Sequence, residues 1–355
     1  MSSKLMMGLI FNIKRAASLL FLFVTVVALF ACGEASRDNF KLSGSTMGTT
    51  YHVTVVRQAE DKLDQQQLQQ AIDQQLQQIN QQMSTYIADS ELVKLNNAPV
   101  GEWVVVSENL FNVLMMSLEL GWLSNGAFDI TMGPLVELWG FGASVKADRG
   151  AIPSANQIQS ALKNVGYQHI EFDITTNSIR KQLPVRLDLS AIAKGFGVDK
   201  VAELLLYAGY KDFMVEIGGE LRLQGSSPRG TPWRIGIEQP DALSVGEVYS
   251  SVSVSGVAMA TSGEYRNYFE RDGRRYSHTL DPLTGYPIDH RLVSVTVIAD
   301  SAAYADGLAT VINVLGAEKG LELAAKQDLA VYMINKTAQG FEAVYSDAFK
   351  PYLNK

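Results

Sequence analysis

Two oxygen-bearing side chains in the last quarter of the sequence have the spacing of a cation site. Asp306 and Thr310 lie four residues apart in the segment 302–315, whose apolar pattern predicts a helix. Residues at that spacing share one helix face, and both offer the oxygen ligands that Mg²⁺ accepts. Gly307 is costly inside a helix, which indicates a close approach to the backbone. The structural alternative is an aspartate near a helix start and a threonine bonded to its own turn.

A second candidate is the segment 188–197 (DLSAIAKGFG), which follows a predicted strand beginning at Val185. The segment opens a predicted helix that runs to about residue 208. The start of a helix offers unpaired N–H groups and a partial positive charge to anions. Lys194 in the first turn opposes the helix dipole, so we expect it to face an anion. The G-x-x-x-x-G-K-[ST] pattern is absent, so this is not a Walker loop.

The third candidate surrounds His278. The stretch 276–285 (YSHTLDPLTG) follows Thr261-Ser262-Gly263 in the chain and joins a polar strand end to a Pro/Gly turn. Side chains at such turns reach solvent or ligand. Beside an aspartate, a serine and a threonine, His278 is a plausible acid–base residue, although a lone histidine is more often structural.

Other chemistries lack their motifs. A serine hydrolase of the G-x-S-x-G type and a zinc site of the H-E-x-x-H type have no counterpart in the sequence. Cys32 is the only cysteine, which excludes an internal disulfide and a cysteine metal cluster. The formal charge of −7, with no basic run after the leader, argues against nucleic acid as a partner.

The first 31 residues have the pattern of an export signal. Lys4, Lys14 and Arg15 precede an apolar run over 16–31, which is short for a transmembrane helix. The sequence Leu29-Phe30-Ala31-Cys32 resembles a bacterial lipobox, although Phe30 departs from the usual small residue. We therefore expect a signal peptide over 1–31, lipidation at Cys32 and a tether over 32–39. The location would be the periplasmic face of a membrane, and Gly33 favours the outer one.

The hydrophobic pattern around the candidate residues predicts interleaved helices and strands. Apolar residues at helical spacing predict three further helical segments, over 65–83, 107–124 and 317–325. Segments rich in β-branched residues predict strands over 49–57, 213–223, 233–239, 252–260 and 292–298, before a final strand pair. The elements follow no regular βαβ order. We expect an α+β fold with mostly antiparallel sheets and packed helices, in a single large, two-lobed domain.

Eight segments in order resemble the FAD:protein FMN transferases, also called ApbE-type flavin transferases. The resemblance covers about residues 43–316, with Ser190-Ala191 in place of the family's more usual Gly-Gly. The segments are 44–49 (GSTMGT), 83–86 (MSTY) with Ser90-Glu91, 127–131 (AFDIT), 188–197, 216–220 (EIGGE), 261–263 (TSG), 278–285 and 306–310 (DGLAT). The resemblance makes residues 40–355 a flavin transferase domain.

The resemblance implies a set of ligands. It implies that Mg²⁺ is held by the side chains of Asp306 and Thr310 and the carbonyl of Ala191, with Ala309 as a further carbonyl. It also implies that FAD, the substrate, lies against Met47, Tyr86, Ala127, Phe128, Asp129, Asp188, Lys194 and Leu280.

The activity implied is transfer of the FMN half of FAD to a Ser or Thr hydroxyl of an acceptor protein, with release of AMP. Lys194 would stabilise phosphoryl charge, and His278, or else Asp281, would act as the base. The acceptors would be extracytoplasmic electron-transport proteins. Two alternatives remain: an FAD pyrophosphatase that releases FMN and AMP, and a non-catalytic flavin-binding lipoprotein.

Overall fold

An eight-stranded antiparallel sheet forms the centre of the molecule. The computed structural model describes residues 37–58, 62–142, 152–241, 246–263 and 268–353. The strands of this sheet lie in the order β1 (Asn39–Thr46), β2 (Thr49–Val56), β6 (Phe213–Ile217), β7 (Glu220–Gln224), β10 (Val257–Gly263), β13 (Leu292–Ala299), β14 (Ala330–Thr337) and β15 (Gly340–Tyr345). Every neighbouring pair in the sheet is antiparallel.

Tight turns set the register of the strands on one side of this sheet. Thr46 pairs with Thr49 across a two-residue turn in which Met47 (φ 49°) and Gly48 (φ 74°) are both left-handed. Such turns match the twist of the flanking strands. The segment 213–223, predicted as one strand, is instead a hairpin, because the two left-handed glycines at 218 and 219 reverse the chain. The predicted strand 252–260 is likewise divided, with a turn at residues 255–256.

Three small antiparallel sheets complete the β structure of the described residues. One consists of β3 (Trp103–Val105), β4 (Ile170–Asp173) and β5 (Ser178–Lys181), in the order β3-β5-β4. The others are the hairpins of β8 (Trp233–Glu238) with β9 (Val248–Val254), and of β11 (Tyr268–Arg271) with β12 (Arg274–Ser277). The segment from Val185, predicted as a strand, forms only an isolated bridge between Arg186 and Met132.

Four of the described helices lie where the apolar periodicity predicts them, and three short ones, over 91–97, 133–138 and 155–162, were not predicted. The helices are α1 (Gln65–Met83), α2 (Glu91–Asn97), α3 (Glu108–Leu123), α4 (Gly133–Leu138), α5 (Ala155–Leu162), α6 (Ala193–Tyr207) and α7 (Ala302–Gln327). In glutamine-rich α1, a capping box formed by Asp64 and Gln67 opens the helix, and its apolar stripe is buried as expected. The two predicted segments 302–315 and 317–325 are one helix, kinked at Gly316 (φ 78°).

The two faces of the central sheet bury different partners. Helices α1, α6 and α7 cover one face, where Ile217, Val297 and Leu308 belong to the core, and α3 packs on α1 and α7. The β8–β9 hairpin and the final helical turn cover the other, around Trp233 and Phe349. The α+β class with mostly antiparallel sheets is therefore confirmed.

The expected leader, Cys32 and most of the tether lie outside the described residues. Across the part of the chain that the structure describes, no helix has the length and apolarity needed to cross a membrane. The division into signal, tether and a domain over 40–355 stays a prediction.

Candidate functional site

A cavity of about 660 Å³ lies beside the starts of α6 and α7, the turn between β6 and β7, and the segment 278–282. The β8–β9 hairpin borders its far side. We name it the charged cavity, because seven carboxylate side chains and one lysine line it within the described residues. They are Asp129, Asp188, Glu216, Glu220, Glu238, Glu247, Asp306 and Lys194.

Helix α7 brings the predicted cation ligands to this cavity. Asp306 and Thr310 both border it, as their four-residue spacing requires. Asp306 is 6% exposed. Gly307 serves another purpose than ligand contact: a Cβ there would lie 2.3 Å from a methyl group of Leu120. The glycine therefore lets α3 pack closely on α7.

The start of α6 faces a carboxylate of the protein itself. The helix begins after Ile192, which supplies no side-chain cap. The Gly195 N–H instead donates to Asp306 Oδ2 at 3.1 Å. A Cβ at Gly195 would lie 2.3 Å from the Ala302 carbonyl oxygen, so glycine is needed where α6 meets the first turn of α7. The anion expected at this helix start is thus contributed by α7.

Lys194 lies between two buried carboxylates. Its Nζ is 3.0 Å from Glu220 Oε1 and 3.6 Å from Asp306 Oδ2. Burial raises the pKa of both acids, and Lys194 offsets part of that increase. Burial alone would lower the pKa of Lys194, but the two carboxylates outweigh it and raise that pKa. Because two carboxylates surround one ammonium, additional positive charge would stabilise this cluster.

Glu220 was missed as a functional residue by sequence reasoning, although it closes the EIGGE segment. It is 3% exposed and borders the charged cavity. Its Oε2 is buried and has no hydrogen-bond partner among the described residues. A buried carboxylate oxygen in that state is unusual and indicates a missing partner. The signal available in the sequence was a glutamate directly after the Gly218-Gly219 turn.

The donors around Asp306 suit a hard cation. The Thr310 hydroxyl has no hydrogen-bond partner in the described parts of the chain, and Ala191 borders the charged cavity beside it. One carboxylate, one hydroxyl and a carbonyl make an all-oxygen set of the kind that Mg²⁺ accepts while it keeps several waters. Within the described ranges no three His, Cys, Asp or Glu side chains form a metal cluster. Ala309 is fully buried and is not among the residues that border the cavity.

Six of the eight residues predicted to contact FAD line the charged cavity, namely Ala127, Phe128, Asp129, Asp188, Lys194 and Leu280. Two of them also hold the surrounding loops. Asp129 accepts hydrogen bonds from the N–H groups of Thr131 (2.7 Å) and Tyr167 (2.8 Å), and Asp188 accepts one from the Ser190 N–H (2.9 Å). Burial raises the pKa of Asp129 above its usual value, and the hydrogen bonds from Thr131 and Tyr167 offset only part of that increase.

Two other predicted contacts lie outside the lining of this cavity. Met47 occupies the β1–β2 turn and packs towards α6, where its Cε would be 3.0 Å from a Cβ at Gly197. Tyr86 follows α1 and is 72% exposed. Neither is among the described residues that border the charged cavity.

Of the two residues predicted as the base, His278 borders the charged cavity and Asp281 does not. His278 borders the charged cavity, with its ring edge-on to Phe141 at 6.3 Å between centroids. Asp281 is not among the described lining residues, and its Oδ1 accepts the Leu283 N–H at 2.9 Å within its own turn. The geometry therefore favours His278 over Asp281 as a group that meets substrate.

The far wall of the charged cavity was not predicted. The β8–β9 hairpin contributes Gly236, Glu238, Glu247 and Val248. These residues carry no recognisable motif and reach the site only because the hairpin packs on the sheet face opposite to α7. Pattern analysis along the chain had no signal for that placement.

Known proteins resemble this chain over most of its length. A protein of Vibrio cholerae serotype O1, named FAD:protein FMN transferase, is 44% identical over 330 residues, which cover 92% of this chain and 96% of the relative. One of the same name from Haemophilus influenzae is 40% identical over 341 residues, 95% of this chain and 98% of the relative.

Solved structures agree with these relatives. The flavin transferase ApbE of Vibrio cholerae superposes with a TM-score of 0.82 at 42% identity, covering 89% of this chain and 99% of that structure. The apo flavinyl transferase ApbE of Pseudomonas stutzeri gives 0.82 at 39% identity, with coverage of 90% and 98%. The family described as the ApbE family matches residues 47–333. This chain therefore belongs to the ApbE family.

Proposed function

We propose that this protein is a Mg²⁺-dependent FAD:protein FMN transferase. The observation that carries the proposal is the arrangement of Asp306, Thr310 and Lys194 at one end of a cavity large enough for a flavin nucleotide. FAD is a diphosphate ester, and the oxygens of the diphosphate need positive charge nearby during displacement. The names of the relatives agree with this assignment.

The residues of the chain divide the chemistry between them. Asp306, Thr310 and the carbonyl of Ala191 would hold Mg²⁺, which supplies a Lewis acid for the phosphoryl oxygens. Lys194 would stabilise the charge that develops on the same oxygens. Asp188 and Leu280, which also line the cavity, would position the nucleotide.

His278 would activate the acceptor. A Ser or Thr oxygen of the partner protein bonds to the phosphorus of the FMN half as its proton passes to His278. The P–O bond to the AMP half breaks, and AMP leaves with the electron pair. A positioned base of this kind contributes about 10²–10⁴-fold in rate.

We further propose that Cys32 is lipidated, with palmitate among its acyl chains, and that the domain lies at the periplasmic face of the outer membrane. The described chain begins at Arg37, at most about 18 Å of extended chain from Cys32. The Arg37 N–H donates to the Pro228 carbonyl at 2.7 Å, just beyond the end of β7. Glu220 opens the same strand at the charged cavity, so the cavity would face away from the anchor.

The anchor has its own test. Cells that express the protein and grow with labelled palmitate should incorporate label into it, and Cys32→Ser should abolish incorporation while leaving the protein exported. Label retained in the Cys32→Ser variant would refute lipidation at this cysteine without touching the enzymatic proposal.

The enzymatic proposal is tested by intact mass. The protein is incubated with FAD, Mg²⁺ and an acceptor that carries an Asp-x-x-[Ser/Thr]-Gly-Ala-Thr stretch. We expect the acceptor to gain one FMN phosphoryl unit, and we expect EDTA or Asp306→Ala to prevent that gain. Free FMN and AMP with an unmodified acceptor would indicate a pyrophosphatase, whereas intact bound FAD would indicate a binding protein.

A further inference from the structure

Helices α6 and α7 cap each other. Asp306 on α7 accepts the Gly195 N–H of α6, as described above. In return, Asp199 on α6 accepts two N–H groups at the start of α7: Ala302 N–H at 2.8 Å through Oδ1 and Ala303 N–H at 2.9 Å through Oδ2. The first turn of a helix has N–H groups without partners in the helix, so each exchange satisfies orphan donors.

The contact between the two helices leaves little room for adjustment. Gly195 meets the backbone of Ala302 and Ala303 directly, so the helices touch without intervening side chains. The Asp199 side chain is 14% exposed, and Arg222 on β7 lies 4.0 Å from its Oδ1. Asp199 therefore holds the start of α7 from a position that solvent barely reaches.

We propose that Asp199 is a positioning residue for the cation site. It fixes the first turn of α7 against α6 and thereby places Asp306, one turn further along, opposite Lys194 and Gly195. The inference deepens the proposed function and rests on the Mg²⁺ site described there. Asp199 itself does not border the charged cavity.

The carboxylate of Asp199 matters because it accepts two hydrogen bonds. Its two oxygens take the N–H groups of two successive residues, so the helix start is restrained in rotation as well as in distance. Asparagine offers one acceptor oxygen, and its NH₂ group would oppose the second N–H. In Asp199→Asn the start of α7 loses one of the two bonds that link it to α6.

The same helix start provides a matched control. Ser301 caps α7 locally, since its Oγ accepts the Tyr304 N–H at 3.3 Å. Ser301→Ala removes a hydrogen bond from the same turn but leaves the bonds between α7 and α6 intact. Both variants should lower the melting temperature by a few degrees, because each loses a cap.

The decisive measurement is Mg²⁺ affinity by calorimetry on the purified protein, with kcat and the KM for FAD alongside. We expect Asp199→Asn to weaken Mg²⁺ binding by about 10- to 100-fold, the range found when residues that orient metal ligands are removed. The same variant should lower kcat and leave the KM for FAD nearly unchanged. Ser301→Ala should keep the affinity of the wild type.

Asp306→Ala separates the possible failures. If it abolishes Mg²⁺ binding while Asp199→Asn binds like the wild type, Asp199 is merely structural and the inference is overturned. If Asp306→Ala binds Mg²⁺ normally, the cation site of the proposed function is wrong. Should Asp199→Asn not fold, Asp199→Glu carries the test, because it keeps the carboxylate but displaces it by one methylene, and it too should weaken Mg²⁺ binding.

Discussion

Two cavities flank the first turns of α7, and they differ in where their charged side chains lie. Asp306 and Thr310 face the charged cavity of about 660 Å³. Tyr304 and Leu308, on another face of the same helix, border a second cavity of about 1070 Å³. We name it the apolar cavity after its lining, which includes Met115, Met116, Trp122, Leu329, Ala330 and Tyr352.

The difference lies in where the charges are. The apolar cavity also has carboxylates, namely Glu119, Asp300 and Asp328, but all three are exposed and remain hydrated. In the charged cavity, Glu220 and Asp306 are buried beside Lys194. Burying charged side chains costs free energy that packing alone does not offset. A buried cluster of charges therefore indicates a functional site better than the volume of a cavity does.

The largest expected effect tests whether chemistry is confined to the charged cavity. His278→Ala should lower the rate of FMN transfer by about 10²–10⁴-fold, because the acceptor hydroxyl loses its base. FAD binding should remain close to that of the wild type. Single-turnover kinetics by intact mass, with FAD affinity measured by fluorescence, check this. A variant that no longer binds FAD would contradict the role as base.

A smaller effect is expected at Glu220. Glu220→Gln removes the charge of one of the two carboxylates around Lys194, so the ammonium is held mainly by Asp306 and competes with a cation there. We expect Mg²⁺ affinity to fall by about 10-fold, in the range for residues that orient a metal ligand. Glu119→Gln, an equal change in the apolar cavity, should leave the affinity unchanged in the same calorimetric titration. Equal behaviour of the two variants would remove the distinction between the cavities.

The apolar cavity should respond in stability instead. Leu308 is fully buried, so Leu308→Ala should lower the free energy of unfolding by about 2–5 kcal/mol. Leu308→Met, which conserves volume, should cost less than about 1.5 kcal/mol. Denaturant unfolding measures both, and Mg²⁺ affinity should be unchanged in each. Lost Mg²⁺ binding in the folded Leu308→Ala protein would show that the two faces of α7 are coupled.

The smallest effect belongs to the rim of the apolar cavity. Trp122 is 63% exposed, so Trp122→Ala should change the free energy of unfolding by no more than about 0.5 kcal/mol. FMN transfer should continue at the rate of the wild type. A large loss of transfer would identify this rim as a surface that the acceptor needs.

Much of the site could be predicted from local pattern. The spacing of Asp306 and Thr310 placed both on one helix face, and Lys194 was expected to meet an anion at a helix start. The structure puts all three at one cavity, together with His278. Ala127, Phe128 and Asp188, which the family resemblance implied, line the same cavity. The helical spacing of Asp306 and Thr310 is a local property, so it can be read from the sequence alone.

Other expectations did not lead to the cavity. Gly307 indicated a close approach, but what approaches is Leu120 of α3 rather than a ligand. Asp281 was expected near the chemistry, yet it caps its own turn. In both cases the local pattern was right about an unusual backbone and had no information about which distant group lies beside it.

The sequence by itself determined the periodicity of the longer helices and the residue types available for chemistry, because these depend on neighbours a few positions away. Only the tertiary structure decided that Gly195 would meet Asp306, 111 residues later, and that Asp199 would meet the start of α7. Those contacts arise because α6 and α7 pack side by side on one face of the antiparallel sheet. Packing of distant elements selects them, and no pattern along the chain encodes which pairs result.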